Sequence, residues 1–210
     1  MTTVTAGYDT CPDWAPFLGY LGASSCVILA NFGSAWGTWA SGIGVCKMGI
    51  TYPAGIMKNI VPIVMAGVLG IYGLIVAVII AEGIKEPSDG GYNTYSVFNG
   101  YTHLAAGLCC GLSCLAAGGT IGAIGKSGTV NFGAKAGQGQ RGWMHHVRGD
   151  NSRSTSMQDD AGTDAARYVE DANRLYVGFL IMLIFAEAIA LYGLIVALIL
   201  SQKTYDCGSA

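Results

Sequence analysis

The sequence predicts an all-α membrane protein whose four transmembrane helices form two duplicated hairpins. Only 11% of its 210 residues are charged. Soluble domains carry roughly 25% charged residues, so this chain is too apolar to cover a surface that faces water. Its mean hydropathy is +0.46. Four long apolar runs of the sequence contain only one charged residue in total, and two of these runs contain closely similar stretches.

The uncharged runs locate the membrane-spanning segments. Each run is longer than the approximately 20 residues that a helix needs to cross the hydrocarbon core. The runs are apolar throughout rather than alternating, which argues against the strands of a membrane barrel. We therefore predict helices near 16–45, 57–83, 97–126 and 175–201.

These helices divide the chain into four segments. Residues 1–84 form the first hairpin, 85–126 a lumenal loop with the third helix, and 175–210 the fourth helix with a C-terminal tail. Between them, 127–174 is a polar loop rich in Gly, Ser, Gln and charged residues. Because such a composition cannot bury enough apolar surface, we expect this loop to be disordered, with a short helix near 163–174.

Basic residues lie mostly on one side of the predicted membrane segments. The loops that follow helices one and three hold nine Lys and Arg residues, against two, Lys85 and Lys203, on the other side. Cytosolic loops carry the excess of Lys and Arg, so these two loops are predicted to be cytosolic and both termini lumenal. No basic patch suited to phosphates is present, and we expect no nucleic-acid partner.

Helices one and three carry small residues at every fourth position, a spacing that lets two helix backbones approach closely in a membrane. Ordinary packing within one four-helix bundle explains this pattern, and so does an inner layer of helices around a closed ring. The residues that we assign to ring packing are Gly33, Gly37, Ser41, Gly118 and Gly122.

An internal repeat relates helices two and four. Residues 71–80 match residues 191–200 at seven of ten positions, with an offset of 120. The two hairpins are therefore duplicated units in parallel orientation. At one aligned position the copies differ in chemistry, because Gly67 occupies the place of Glu187.

Glu187 is the only Asp, Glu, Lys or Arg residue within the four long runs, and it lies near the middle of its run. An ionised carboxylate at the bilayer centre costs about 2.5–3.5 kcal/mol on insertion scales. The neutral form is therefore favoured against lipid, and ionisation requires water or a cation. This behaviour suits a proton carrier. The alternative is a protonated glutamate that serves only as a hydrogen-bond donor between helices.

Several motifs around this carboxyl resemble one known family. Phe185-Ala-Glu187, followed by Leu191-Tyr-Gly-Leu-Ile-Val-Ala197, resembles the last helix of the c-type proteolipid of vacuolar-type proton-translocating ATPases. Further stretches that resemble this family lie, in order, at 15–19, 33–38 and 58–67. The resemblance covers about 14–130 and 173–202. The related c″ proteolipid has its carboxylate in helix two, so Gly67 makes this chain more similar to the c type.

The resemblance implies a rotor subunit. Copies of the chain, with or without sister proteolipids, would form a ring in the lipid bilayer that turns against a static membrane subunit, which supplies an Arg, and contacts a central-stalk subunit. Glu187 would carry the transported H⁺, without a cofactor or metal. ATP would be hydrolysed on other subunits, so the chain alone has no catalytic activity. The implied location is a vacuolar, lysosomal or other acidic endomembrane.

Four residues near Glu187 are predicted to support it: Tyr72, Gly67, Phe185 and Tyr192. Tyr72 is a candidate hydrogen-bond donor to the Glu187 carboxyl across the hairpin, although packing alone also explains both tyrosines. Sodium-transporting members of the family carry a Thr-Gln pair shortly before this tyrosine. The pair is replaced here by Val68-Leu69, which favours H⁺ over Na⁺.

One alternative function and one unexplained feature of the sequence stay open. A structural pore-forming or junction-forming protein would use the same four helices without ion-pump coupling. The polar loop 127–174 is longer than the family's usual connection. Contact with the stalk, phosphorylation and retained intron sequence each explain it.

Overall fold

The computed structural model describes residues 12–84, 95–148 and 155–204, and beyond the backbone it describes the side chains of 12–84, 95–137 and 167–204. Two short 3₁₀ turns, Pro53–Gly55 and Lys58–Ile60, join the first two helices. The helices are α1 (Ala15–Thr51), α2 (Val61–Gly83), α3 (Val97–Arg148) and α4 (Thr155–Ser201). All four are long and apolar enough to cross a membrane, which confirms the predicted fold class.

Helices α3 and α4 both extend further into the polar segment 127–174 than predicted. Helix three was predicted to end near 126 and helix four to begin near 175, but α3 continues to Arg148 and α4 begins at Thr155. The expected disorder over 127–174 is thus replaced by helix over 127–148 and 155–174. Pro87 is the last proline in the chain, so no later residue lacks the backbone donor that a helix needs.

The described chain forms two compact units, and each contains a portion of all four helices. Among the described residues, the first unit comprises 12–35, 66–84, 95–119 and 187–204, and the second comprises 36–65, 120–148 and 155–186.

In the first unit, α1 and α3 run parallel and in close contact. A Cβ atom built on Gly107 would overlap the backbone of Gly22, and one on Gly118 would overlap the backbone of Gly33. Both pairs are separated by 85 residues, so the register is constant along the contact. Glycine is needed at these positions because the two backbones approach too closely for a side chain.

Helices α2 and α4 pack against this pair through further small residues. The Cys26 thiol of α1 donates a hydrogen bond to the Gly73 carbonyl of α2 at 3.6 Å. Between α3 and α4, the Ser113 side chain lies directly against Gly193.

One end of the first unit holds a buried polar pair. The Tyr95 hydroxyl lies 2.7 Å from Nδ1 of His103, and both side chains are buried. Burial raises the pKa of the Tyr95 phenol well above its usual value, so this group remains neutral at physiological pH.

In the second unit, aromatic side chains from the connection after α1 and from α4 pack against an aromatic side chain of α3. Phe132 lies edge-on to Tyr52 and to Tyr176, and the ring centroids are 6.4 and 5.9 Å apart. The Tyr176 hydroxyl donates a hydrogen bond to the Lys58 carbonyl at 2.6 Å. These contacts join the end of α1, the 3₁₀ turn, α3 and α4 within this unit.

Candidate functional site

The carboxyl of Glu187 lies between α4 and α2 in the first unit. Its side chain is half-buried, and its Oε1 accepts a hydrogen bond of 3.0 Å from the hydroxyl of Tyr72, itself half-buried. The structure therefore brings together the one carboxyl of the long apolar runs and the tyrosine expected to lie opposite it. In the part of the chain that the structure describes, Tyr72 is the hydrogen-bond partner of this carboxyl.

Helix packing sets the position of the tyrosine. Gly73 follows Tyr72 and has no side chain, so α2 can lie directly against Ala30 of α1. Leu69 and Val76, one turn to either side of Tyr72, are fully buried. These contacts hold α2 in one rotational setting, in which the tyrosine hydroxyl points toward α4.

Buried apolar residues flank the two hydrogen-bonded side chains along their helices. Leu69 lies one turn before Tyr72 on α2, Ala190 lies one turn after Glu187 on α4, and both are fully buried. Within the described residues, no group of three or more His, Cys, Asp or Glu side chains has an arrangement suited to a metal ion. One carboxyl that is hydrogen-bonded to one phenol has the chemistry to accept, hold and release a proton.

Within the described residues, no hydrogen bond joins the other three predicted supporting residues to the carboxyl, and their supporting role stays a prediction. Gly67 is exposed, and a Cβ atom built on it would meet nothing within 4 Å. Phe185 is 71% exposed and Tyr192 is 68% exposed. All three lie on outward-facing surface of the single chain.

The five residues assigned to ring packing lie at contacts between α1 and α3 of the same chain. In the first unit Gly118 faces Gly33, and in the second unit Gly122 faces Gly37. Ser41, also in the second unit, donates a hydrogen bond to the Gly37 carbonyl and is fully buried. Their observed contacts are therefore within one chain, and a contribution to contacts between chains stays a prediction.

Sequence reasoning missed one polar residue beside this site. Asn31 of α1 is exposed, and a methyl group on Gly70 of α2 would lie only 2.9 Å from its Oδ1. A polar amide inside a long uncharged run was a signal that could have identified it.

Comparisons with known proteins agree with these features. The ATP synthase C subunit family matches the chain twice, over residues 21–80 and 158–200, which supports the duplication. The chain is also 46% identical over 199 residues to the V-type proton ATPase 16 kDa proteolipid subunit of Chrysotila carterae, covering 95% of this chain and 98% of that protein.

The chain belongs to the V-type ATPase proteolipid family. Two further V-type proteolipids support the assignment. It is 38% identical to the V-type proton ATPase c' subunit of Eremothecium gossypii, over 93% of both chains. It is 39% identical to the c 2 form of the V-type proton ATPase 16 kDa proteolipid of Caenorhabditis briggsae, over 90% of this chain and 92% of the relative. The predicted resemblance is confirmed, and this V-type proteolipid is a multi-pass membrane protein.

Proposed function

We propose that Glu187 is the proton carrier of this V-type proteolipid, acting in a rotor ring of the membrane sector. The observation that carries the proposal is the hydrogen bond of 3.0 Å from the Tyr72 hydroxyl to Oε1 of Glu187, the one carboxyl within the four apolar runs. A carboxyl at mid-membrane is expensive to ionise and marks an ion pathway by default.

The proposed cycle uses the two protonation states of this carboxyl. Uptake of a proton neutralises Glu187, so the ring can turn while this residue faces lipid. Tyr72 donates its hydroxyl hydrogen to Oε1 and holds the side chain against α2. When an Arg of the static subunit approaches, the ionised form is favoured by its charge, and the proton leaves toward the lumen.

One carboxyl per four helices sets the number of protons moved per rotation. Gly67 occupies the place of Glu187 in the repeat, so each chain carries one proton rather than two. Each proton gains or loses about 2.3 kcal/mol per 100 mV of membrane potential. Fewer protons per turn allow the same ATP energy to support a steeper gradient.

The proposed orientation follows the exposed basic side chains. Three exposed lysines lie in the second unit: Lys47 near the end of α1, Lys58 in the connection between α1 and α2, and Lys126 within α3. The positive-inside rule favours the cytosol for these residues, where a central-stalk subunit would be met. Both termini would then be lumenal, in a vacuolar, lysosomal or other acidic membrane.

The transported ion is proposed to be H⁺. Sodium requires several oxygen ligands, whereas Leu69, buried on α2, and the adjacent Val68 offer none. The Tyr72 hydroxyl is the one oxygen recorded within hydrogen-bonding distance of Glu187 among the described residues. A site with one phenol beside one carboxyl is suited to a proton.

A hydrophobic carbodiimide tests this function directly, because it modifies protonated carboxyl groups inside membranes. In vesicles that contain the complete ATPase, we expect pumping to fall as the fraction of modified Glu187 rises, and faster than that fraction because one modified copy can stop a whole ring. Peptide mass spectrometry measures that fraction. Full modification of Glu187 with normal acidification would contradict the proposal, and would favour a structural role instead.

Tyr72→Phe tests the role of the hydrogen bond. Hydrogen bonds between transmembrane helices average about 0.6 kcal/mol in double-mutant cycles, so we expect ATP-driven pumping to slow about threefold. Tyr20→Phe is a matched control, since Tyr20 lies on a different helix, α1, and is 57% exposed. Unchanged pumping in Tyr72→Phe would show that Tyr72 only packs.

A further inference from the structure

The internal repeat implies a second contact that a single chain does not make. With an offset of 120, Tyr72 corresponds to Tyr192, and Glu187 corresponds to Gly67. Inside the chain, Tyr72 of α2 donates to Glu187 of α4. The corresponding contact would join Tyr192 of α4 to α2 beside Gly67. Both positions are exposed in the single chain.

A second copy of the chain is the occupant that this arrangement fits. When a contact between two different surfaces is repeated from copy to copy, it generates a ring if the rotation closes. Here the two surfaces are the exposed sides of α4 and α2, marked by Tyr192 and Gly67. Because α2 and α4 are copies in sequence, their contact between chains can reproduce their contact within the chain.

At the second contact, the partner of the tyrosine cannot be a carboxyl. Gly67 has no side chain, and the space next to its Cα is open. The neighbouring polar group is the Asn31 amide, whose Oδ1 lies against Gly70, one helical turn from Gly67. Among the described residues, no hydrogen bond from the Asn31 side chain is found, and the side chain is exposed.

Asn31 also lies at a suitable depth. Gly70, which it contacts, and Tyr72 are two residues apart, or about 3 Å along the helix axis. The amide is therefore close to the level of the Tyr72–Glu187 hydrogen bond. An unpaired amide is costly in hydrocarbon, so a partner that supplies a hydrogen bond at this depth would stabilise the assembly.

We propose that the Tyr192 hydroxyl of one copy donates a hydrogen bond to Oδ1 of Asn31 in the next copy, across the open surface at Gly67. This inference rests on the ring of the proposed function. Around the ring, contacts between α2 and α4 would then alternate between two kinds. The contact within each chain contains an ionisable carboxyl, and the contact between chains contains only neutral groups. The neutral contact joins neighbouring copies without adding a second proton site.

Cross-linking tests the arrangement of the two residues. Asn31→Cys and Tyr192→Cys are introduced into one chain and treated in the assembled membrane complex with a short bifunctional thiol reagent. We expect a ladder of dimers, trimers and larger species. A mixture of the two single variants should stop at dimers. The protein without substitutions and each single variant, treated with the same reagent, measure the background from native cysteines, which include the exposed Cys46.

A second pair controls for general proximity. Ile199 is 56% exposed on α4, two turns beyond Tyr192, which places it about 10 Å further along the axis. Asn31→Cys with Ile199→Cys should give no ladder above background. Equal ladders from both pairs, or a cross-link confined to single chains, would contradict the proposed contact.

A double-mutant cycle tests the hydrogen bond itself. Tyr192→Phe and Asn31→Ala should each produce an approximately threefold increase in the rate at which single chains dissociate from the detergent-solubilised ring. This increase corresponds to about 0.6 kcal/mol, the average for a hydrogen bond between membrane helices. The double variant should dissociate no faster than either single variant. Additive effects, near ninefold, would overturn the proposal. Tyr101→Phe, at a tyrosine that is 50% exposed, is the control.

The outcomes separate this inference from the proposed function. A loss of pumping in Glu187→Gln without a 31–192 ladder contradicts the interface alone. A ladder combined with normal pumping in Glu187→Gln contradicts the proton-carrier role alone.

Discussion

Replacing Glu187 with Gln is expected to abolish ATP-dependent acidification while the proteolipid still assembles. Glutamine has nearly the same shape, and its carbonyl oxygen can accept the hydrogen bond that Tyr72 donates to Oε1 at 3.0 Å. It cannot gain or lose a proton at physiological pH. The helix contacts are therefore preserved while the proposed transport step is removed, and proton movement should fall to the background of vesicles without ATP.

Two measurements are needed on the same membranes. A pH-sensitive dye reports acidification, and co-purification of the remaining ATPase subunits reports assembly. Glu170→Gln is a matched control, because Glu170 is exposed and forms a surface ion pair of 2.8 Å with Arg174. Such pairs contribute about 0–1 kcal/mol, so pumping should persist. Acidification by an assembled Glu187→Gln complex would exclude Glu187 as the carrier.

Gly118→Ala is expected to destabilise the protein strongly, although it adds one methyl group. A Cβ atom on Gly118 would overlap the backbone carbonyl of Gly33. Backbone atoms cannot turn aside as a flexible side chain can, so α1 and α3 would have to separate. Overpacking of this kind costs typically about 1–3 kcal/mol, and Gly118→Leu should cost more.

Gly119 provides the comparison for this prediction. It is the next residue of the same helix, but a Cβ atom built on it meets nothing within 4 Å. Gly119→Ala should therefore leave the midpoint of thermal dissociation unchanged or slightly raised, whereas Gly118→Ala should lower it. Both variants carry the same gain in helix propensity, so the difference isolates the contact with α1. Equal midpoints would mean that the two helices can separate without cost.

The polar segment shows where sequence patterns predicted the structure poorly. Low hydrophobicity indicated disorder over 127–174, yet α3 continues to Arg148 and α4 begins at Thr155. Part of the explanation is local contact in the second unit, where Phe132 and Ala136 of α3 are buried with Met48 and Ala172. Lys135 also pairs with Asp171 at 3.8 Å. Stabilisation by tertiary packing is not visible in composition.

The small residues show a second limit. Their spacing indicated close helix packing, but it did not say which helix each would face. Ring contact and contact within the bundle predict the same pattern. The observed register of 85 residues between α1 and α3 accounts for Gly33 and Gly118 within one chain. The side chains that mark the proposed contact between chains, Tyr192 and Asn31, are larger and polar.

The sequence by itself determined that this protein has four membrane helices in two duplicated hairpins, with one carboxyl near the middle of an apolar run. These conclusions depend on the free energy of transferring each residue into lipid, which is a property of the residue and its position along the chain. The tertiary structure decided that Tyr72 meets Glu187 and that Tyr192 and Asn31 remain exposed. In a helix that is apolar on all sides, the hydrophobic pattern does not define the rotational setting. That setting depends on how glycines and side chains from neighbouring helices fit together.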